Sequence, residues 1–364
     1  MVGIRVVTAA AGTEWSRVVD ASSQARLAHA AEWFTVISRA YGHEPLYLVA
    51  DSDAGCAVLP AFVVRRPLVG AIVTSMPFLD SGGPCAASPT VAALLVERLI
   101  TEARARRARL VELRSAERLA IDAQPLDSKV NMTLALDGGP DALWRRFDKG
   151  VRNQIRKAER SGLTVEVSGT AGLPAFYDVF VERMRDLGSP VHALAFLQET
   201  VDRFGARARV VLVKKGPATI GGLVAMTFKD RVIVPWATCL KEHFALCPNM
   251  LLYWETIKRA SLDGVARFDF GRSTRDSGTY HFKRQWGAQE EPLFWYRIPV
   301  DARRRGSAEA FALQQSSSAL QRWSAKPFGE RAPSSNELLA RMWQRLPLAV
   351  TRQVGPRIRK YLIQ

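Results

Sequence analysis

The second half of the chain contains Phe268-Asp269-Phe270-Gly271-Arg272-Ser273, followed by Gly278-Thr279-Tyr280-His281-Phe282-Lys283-Arg284-Gln285-Trp286-Gly287. Its first residues alternate apolar and polar, as a strand does. The strand ends in Asp and Gly, so the backbone can open beside a ligand while a carboxylate stands at the strand end. The Ser/Thr/Gly-rich residues that follow read as a loop that orders when something binds. Tyr280 and Lys283 then supply a phenol and an ammonium, groups able to stabilise negative charge developing on a carbonyl oxygen. Arg272 adds a cation for a substrate phosphate. The same residues also suit a capped strand and a surface lysine, because structural ion pairs have this composition too.

Outward from this stretch, the pattern alternates helices and strands. Met250–Leu262 reads as a helix capped by Asn249, and Ala208–Lys214, Thr219–Lys229 and Arg231–Ala237 as three strands joined by short turns. Leu173–Leu187 and Leu194–Phe204 read as helices, and Leu293–Ile298 as a strand. Trp236 and Tyr253, near element ends, would line a cleft or pack a core. Ala142–Glu159 reads as one helix: Trp144, Phe147, Val151, Ile155 and Ala158 form an apolar stripe that ends before Gly162. Beside it Lys149, Arg152 and Arg156 form a basic stripe, spaced either to grip one phosphate or to make a solvated face. The first part repeats the grammar, with a helix over Ala31–Tyr41 and strands over Leu46–Ala50, Ala57–Val64 and Leu68–Thr74. A helix over Val91–Arg107 and strands over Leu110–Arg114 and Val130–Leu136 complete it. Two halves with one order of elements suggest a duplicated α/β architecture, divided at 1–140, 141–300 (with the basic helix 142–159 as its link) and a basic extension, 301–364.

The bulk composition is that of a globular protein: 364 residues, 48% hydrophobic and 24% charged. The most apolar stretch, Cys56–Leu79, is broken by Arg65-Arg66 and three prolines, whereas a membrane helix needs roughly 20 apolar residues in a row. Four scattered cysteines without a Cys-x-x-Cys pair fit reduced thiols in a cytoplasmic protein. Five histidines show no metal-like spacing, so no metal is expected. Phosphate-binding and dinucleotide glycine loops, His-Glu-x-x-His and Gly-x-Ser-x-Gly are all absent. The formal charge is +16, and residues 301–364 hold 12 Lys/Arg against 4 Asp/Glu. Residues 141–160 hold 7 against 3. Such local charge points to anionic partners. With Trp343, Leu346, Tyr361 and Leu362 interspersed, the C-terminal segment suits either an anionic membrane surface or packing back on the first lobe.

Four blocks of this sequence resemble the FemAB family of transferases, which has the acetyltransferase (GNAT) fold, and above all its exosortase-associated members. They are Ser75-Met76-Pro77-Phe78-x-Asp80-x-Gly82-Gly83, Phe147–Ala158, Pro248-Asn249-Met250-Leu251-Leu252-Tyr253-Trp254-Glu255 and Phe268–Gly287. The resemblance implies a tandem pair of GNAT-like lobes with a cleft between them. It also implies transfer of an acyl or aminoacyl group, from acyl-CoA or aminoacyl-tRNA, to an amine on a phosphate-bearing or carbohydrate precursor of the cell envelope or exopolysaccharide. Lys283 falls on a family lysine near the reacting carbonyl, and Arg152 and Arg156 fall in the family's basic helix. The helical-hairpin arm of some members is missing. The coenzyme A pyrophosphate loop of ordinary acetyltransferases is missing too, and Lys241–Pro248 stands in its place.

With no activated nucleophile evident, direct attack in a ternary complex is expected, at the inner face of the plasma membrane or free in the cytoplasm. Lys283 would stabilise the oxyanion, Tyr280 protonate the leaving group and Asp269 orient the amine or accept its proton. The rival from another class is a non-catalytic scaffold of a polysaccharide assembly.

Overall fold

The computed structural model of the chain describes residues 2–7, 12–52, 55–67, 69–126, 129–300 and 335–363. Up to Ser115 the strands are β1 (Gly3–Val7), β2 (Glu44–Pro45), β3 (Tyr47–Ser52), β4 (Gly55–Leu59), β5 (Phe62–Arg66), β6 (Gly70–Thr74) and β7 (Ala108–Ser115), with helices α1 (Thr13–Ala21), α2 (Glu32–Tyr41) and α3 (Pro89–Ala105). There follow β8 (Lys129–Ala135), α4 (Gly139–Arg146), α5 (Lys149–Arg160), β9 (Leu163–Ser168), α6 (Leu173–Asp186) and α7 (Leu194–Phe204). Next come β10 (Ala208–Lys215), β11 (Ala218–Phe228), β12 (Arg231–Cys239), α8 (Pro248–Leu262), β13 (Arg267–Thr274) and α9 (Gly278–Arg284). The chain closes with β14 (Gln289–Pro292), β15 (Phe294–Pro299), α10 (Ser335–Gln344) and α11 (Leu348–Arg359).

Of the described residues, those up to Lys129, 292–300 and 360–363 make one compact unit, and 130–291 with 335–359 make a second. The first unit holds a five-stranded sheet, β15-β7-β6-β5-β2, and a three-stranded sheet, β1-β3-β4. Helix α3 joins the parallel strands β6 and β7. Ser88 caps it, its Oγ accepting from the Val91 N–H at 3.4 Å, and Pro89 occupies the first turn. Val91, Leu95 and Leu99 recur every fourth residue and pack into the core with Leu48, Val63 and Val111. The single strand expected over Ala57–Val64 is two strands in different sheets, because Pro60 brings no N–H to a ladder.

The second unit is built on a seven-stranded sheet, β14-β8-β13-β12-β11-β10-β9. Helix α8 links the parallel strands β12 and β13, and its Leu252, Tyr253 and Ile257 share a core with Phe268, Phe270, Val232 and Val234. The helix expected over Ala142–Glu159 is broken: Phe147 is extended between α4 and α5. That conformation turns its ring inward, edge-on to Trp254 at 5.6 Å and to Trp286 at 5.2 Å. Asn249 does not cap α8; it lies inside the first turn, and Cys247, at φ 57°, precedes Pro248.

Strand membership differs from a division at 140 and 300. Strand β8 lies in the second unit's sheet, where Val130, Met132 and Leu134 join the α8 core. Strand β15 lies in the first unit, paired antiparallel with β7 from Phe294↔Ser115 to Pro299↔Leu110, with Tyr296 and Ile298 in the α3 core. Each ladder buries the apolar face of its strand, which sequence proximity alone does not decide.

The C-terminal helices pack on α6 of the second unit. Gln344 donates to the Asp186 carbonyl at 2.9 Å and Arg352 pairs with Asp178 at 2.5 Å. The last residues join the first unit: Phe78 donates its N–H to the Ile363 carbonyl at 2.9 Å, and Ile363 is buried with Val64, Ile72 and Leu110. Among the described residues no helix is long and apolar enough to cross a membrane.

Strand β11 tolerates no side chain at Gly221. A Cβ there would lie 2.5 Å from Cys239 Sγ and 2.8 Å from Val213 Cγ1. Gly221→Ala is therefore expected to cost about 1–3 kcal/mol by overpacking, read as a lower thermal midpoint in circular dichroism.

Candidate active site

Strands β12 and β13 run parallel but pair only at Arg231↔Arg267, Val232↔Phe268 and Ile233↔Asp269. Both continue for five or more residues beyond that point without pairing to each other. Pro235 explains part of the opening: it has no N–H, and it sits where β12 slips register against β11, between Val224↔Trp236 and Met226↔Ile233. Gly271, at φ 75°, bends β13 two residues past the last pair, a conformation that glycine adopts without strain. Open carboxyl ends of parallel strands are where α/β sheets hold ligands. Two buried hydroxyls stand there, Thr238 Oγ1 on β12 and Ser273 Oγ on β13, and neither has a hydrogen-bond partner. Buried groups of this kind are places for a water or a ligand atom.

Asp269 stands where the pairing stops. Phe268 and Phe270 point to α8, so Asp269 points to the other face of the sheet. Its carboxylate accepts from Asn131 Nδ2 at 2.8 Å and from the Gly271 N–H at 2.7 Å. Arg231 stands 3.8 Å from Asp269 Oδ2 and pairs with Glu291 at 3.2 Å; Asn131 also reaches Glu291 at 3.4 Å. Burial raises the Asp269 carboxyl and Glu291 adds to the rise, whereas Asn131, Gly271 and Arg231 oppose it; the outcome is pushed up to about 6. A carboxylate with that value at pH 7 is mostly ionised and close to the optimum for a general base.

Lys283 is buried on α9, and its ammonium donates to the carbonyls of Gly271 at 2.9 Å and Arg272 at 2.8 Å. It thus holds the carbonyl of the same residue, Gly271, whose N–H holds Asp269. The segment expected as a loop is this short helix: Ser277 Oγ accepts from the Tyr280 N–H at 3.3 Å and caps it.

The other sequence candidates lie elsewhere. The Tyr280 hydroxyl bonds Glu290 and accepts from Arg284 at 3.0 Å. Glu290 and Glu291 are neighbours on β14 and face opposite sides of the sheet. Tyr280 therefore meets Glu290 on one face, and Asp269 meets the Glu291 network on the other. Lys149, Arg152 and Arg156 lie on α5, which packs with α8, on the face away from Asp269. Arg156 stacks on Trp144 at 5.4 Å, and no carboxylate pairs with any of the three among the described residues. Arg272 is half-buried next to Gly271. Trp236 packs a core, edge-on to Phe196 at 5.6 Å and to His192 at 6.0 Å.

Sequence reasoning missed Asn131, Arg231, Glu291, Thr238 and Ser273. Only the Asn and Thr on the polar side of the alternating strand Val130–Leu136 hinted at them. Among the described residues no group of three or more His, Cys, Asp or Glu is placed to hold a metal.

Residues 145–284 match the model of the acetyltransferase (GNAT) domain. No curated protein matches the chain. Among solved structures, FemX is similar, with 14% identity and a TM-score of 0.63 over 81% of this chain and 97% of that one. A tandem GNAT protein from the clavulanic acid biosynthesis pathway is similar at 12% identity and a TM-score of 0.55, covering 83% and 99%. L-PGS from Bacillus licheniformis gives 12% and 0.55, covering 87% and 98%. At these identities the likeness establishes the fold: the chain is a tandem GNAT-fold protein with mixed α/β sheets.

Proposed function

We propose that this tandem GNAT-fold chain is an N-acyltransferase or aminoacyltransferase acting on an amine of a phosphate-bearing or carbohydrate acceptor from the cell envelope. The observation that carries the reading is Asp269, a buried carboxylate with a value of about 6 at the point where two parallel strands part. In this reading the donor carbonyl enters the opening between β12 and β13. The acceptor nitrogen attacks the carbonyl carbon, and Asp269 takes the proton the nitrogen sheds. The tetrahedral intermediate then collapses, the C–S or C–O bond breaks, and the leaving thiol or hydroxyl carries off the electron pair with a proton returned from the carboxyl or water. Main-chain groups beyond Ile233, left without ladder partners on the opening side, suit the developing oxyanion. The N-terminus of α8, at the end of β12, suits donor phosphates.

Lys283 acts here as a positioning residue that fixes the Gly271 peptide under Asp269, and Tyr280 supports α9. Lys149 and Arg156, exposed, with the half-buried Arg152 between them, offer a basic ridge for an anionic part of donor or acceptor.

The test is donor capture followed by turnover. Coenzyme A retained in native mass spectrometry, with transfer from an acyl-CoA, would establish the thioester route. Transfer from charged tRNA would establish the aminoacyl route. Failure with both donors would overturn the reading in favour of a scaffold of a polysaccharide assembly. Lys283→Ala is expected to lower kcat at least tenfold and also to lower the thermal midpoint, because two buried carbonyls lose a charged donor worth about 1.5–3 kcal/mol. Unchanged kcat would remove Lys283 from the site.

A further inference from the structure

We infer that the outer faces of α10 and α11 form a docking surface for an anionic phospholipid bilayer, separate from the transfer site. The helices are tied to the second unit by one side only. Trp343, Thr351 and Gly355 are buried, with Gly355 against Val191 and the Trp343 ring. The opposite sides carry large apolar side chains in the open: Leu338 (50% exposed), Leu339 (52%), Met342 (65%), Leu348, Val350 and Ile358 (37% each). Isolated exposed apolar residues are ordinary, but six of them within 21 residues make a surface feature. On α10, Leu338 and Met342 are four apart and Leu339 lies between them, so one face presents all three. On α11, Val350, Val354 and Ile358 recur every fourth residue beside the buried edge.

The charge on the same helices selects the partner. Residues 335–359 hold five arginines and one glutamate. Arg352 is engaged with Asp178 and Arg359 with His192, but Arg341, Arg345 and Arg357 are exposed among the apolar residues. Apolar side chains flanked by arginines match the interface of an anionic leaflet, which takes the former at the acyl boundary and the latter at the phosphates. A neutral protein partner would leave the arginines without counter-charge. The surface lies upstream of the last residues, whose Ile363 is packed inside the first unit.

The experiment is co-sedimentation of the full chain with vesicles of phosphatidylcholine containing about one-third phosphatidylglycerol, against phosphatidylcholine alone. Wild type is expected to bind the anionic vesicles at least tenfold more tightly, and to lose most of that binding at about 0.5 M salt, where the Debye length shortens to a few ångströms. The double variant Leu339→Asp/Met342→Asp should bind at least tenfold more weakly with an unchanged thermal midpoint. Arg345→Ala/Arg357→Ala should lose about fivefold per residue and flatten the salt dependence. Leu262→Asp, which alters a 67% exposed leucine on α8, serves as the control and should bind like wild type. Equal binding to both vesicles, or equal binding by wild type and the leucine–methionine variant, would overturn the inference. A dimer in sedimentation velocity that this variant dissociates would overturn it too, assigning the face to a second copy of the chain. Because the readout is binding, its failure is distinct from a failure of the transferase reading.

Discussion

Asp269→Asn is expected to lower the rate of transfer by at least ~100-fold while raising the thermal midpoint at alkaline pH. Both effects come from one buried carboxyl. Its rise from the ordinary 3.8 to about 6 means that the fold favours the protonated form. The stability it contributes is present below pH 3.8 and is lost as pH climbs through about 6. Above that pH the ionised group costs on the order of 3 kcal/mol, at roughly 1.4 kcal/mol per pH unit. Asparagine has no charge to bury, so the variant escapes the whole of that cost at pH 8 and only about half of it at pH 5, where the folded carboxyl is protonated but the unfolded one is already ionised. The check is a pair of melting curves for each protein at the two pH values, beside a pH profile of kcat/KM. The profile of wild type should rise through about pH 6 as the base ionises. A stabilisation equal at both pH values, or an active variant, would remove Asp269 from the role of base.

Glu112→Ala is expected to cost about 3–5 kcal/mol of stability, the largest loss from a single substitution in the first unit. Glu112 and Arg114 are each 1% exposed, and Arg114 Nη2 stands 2.7 Å from Glu112 Oε1. Arg297 pairs with the other carboxylate oxygen at 3.0 Å. Arg114 is held further by the carbonyls of Leu79 at 2.7 Å and Ile363 at 2.6 Å, and it stacks on Trp295 at 4.6 Å. It therefore stays buried and charged when its carboxylate is removed. Burial pushes the Glu112 carboxyl up, but Arg114 and Arg297 more than offset this and hold it below its ordinary 4.5. The contribution is present above pH 4.5 and is lost as pH falls through the folded value, the reverse of Asp269. Denaturant melts at pH 7.5 and at pH 4 should therefore show a gap between wild type and variant that narrows in acid. A gap that widens in acid, or a cost under about 1 kcal/mol, would show that the arginines find other partners.

These two carboxylates show how far the sequence could be read. Asp269 was legible because it ends an alternating run before a glycine, and local pattern reports local geometry. Its chemistry was not legible, since Asn131 stands 138 positions away and Glu291 reaches it from another strand. Glu112 was not legible, because an acid between two apolar residues on a short strand reads the same whether it faces solvent or two arginines. Lys283 and Tyr280 looked like one site with Asp269 through nearness in the chain. The α9 helix and the alternation of Glu290 and Glu291 separate the Tyr280 hydroxyl from the carboxylate and turn Lys283 onto the backbone.

The sequence by itself determined the class of the fold. Period-two and period-3.6 apolar patterns, glycine punctuation and the order of helices and strands are properties of neighbouring residues, and they were enough for a duplicated α/β chain; the GNAT-like lobes were implied only by the resemblance of four sequence blocks to the FemAB family. Tertiary structure alone decided which strands complete which sheet, where β12 and β13 part, and which charges face Asp269. Strand pairing, burial and electrostatic fields are set by residues far apart in sequence, and proton affinity follows them rather than the residue's own neighbours.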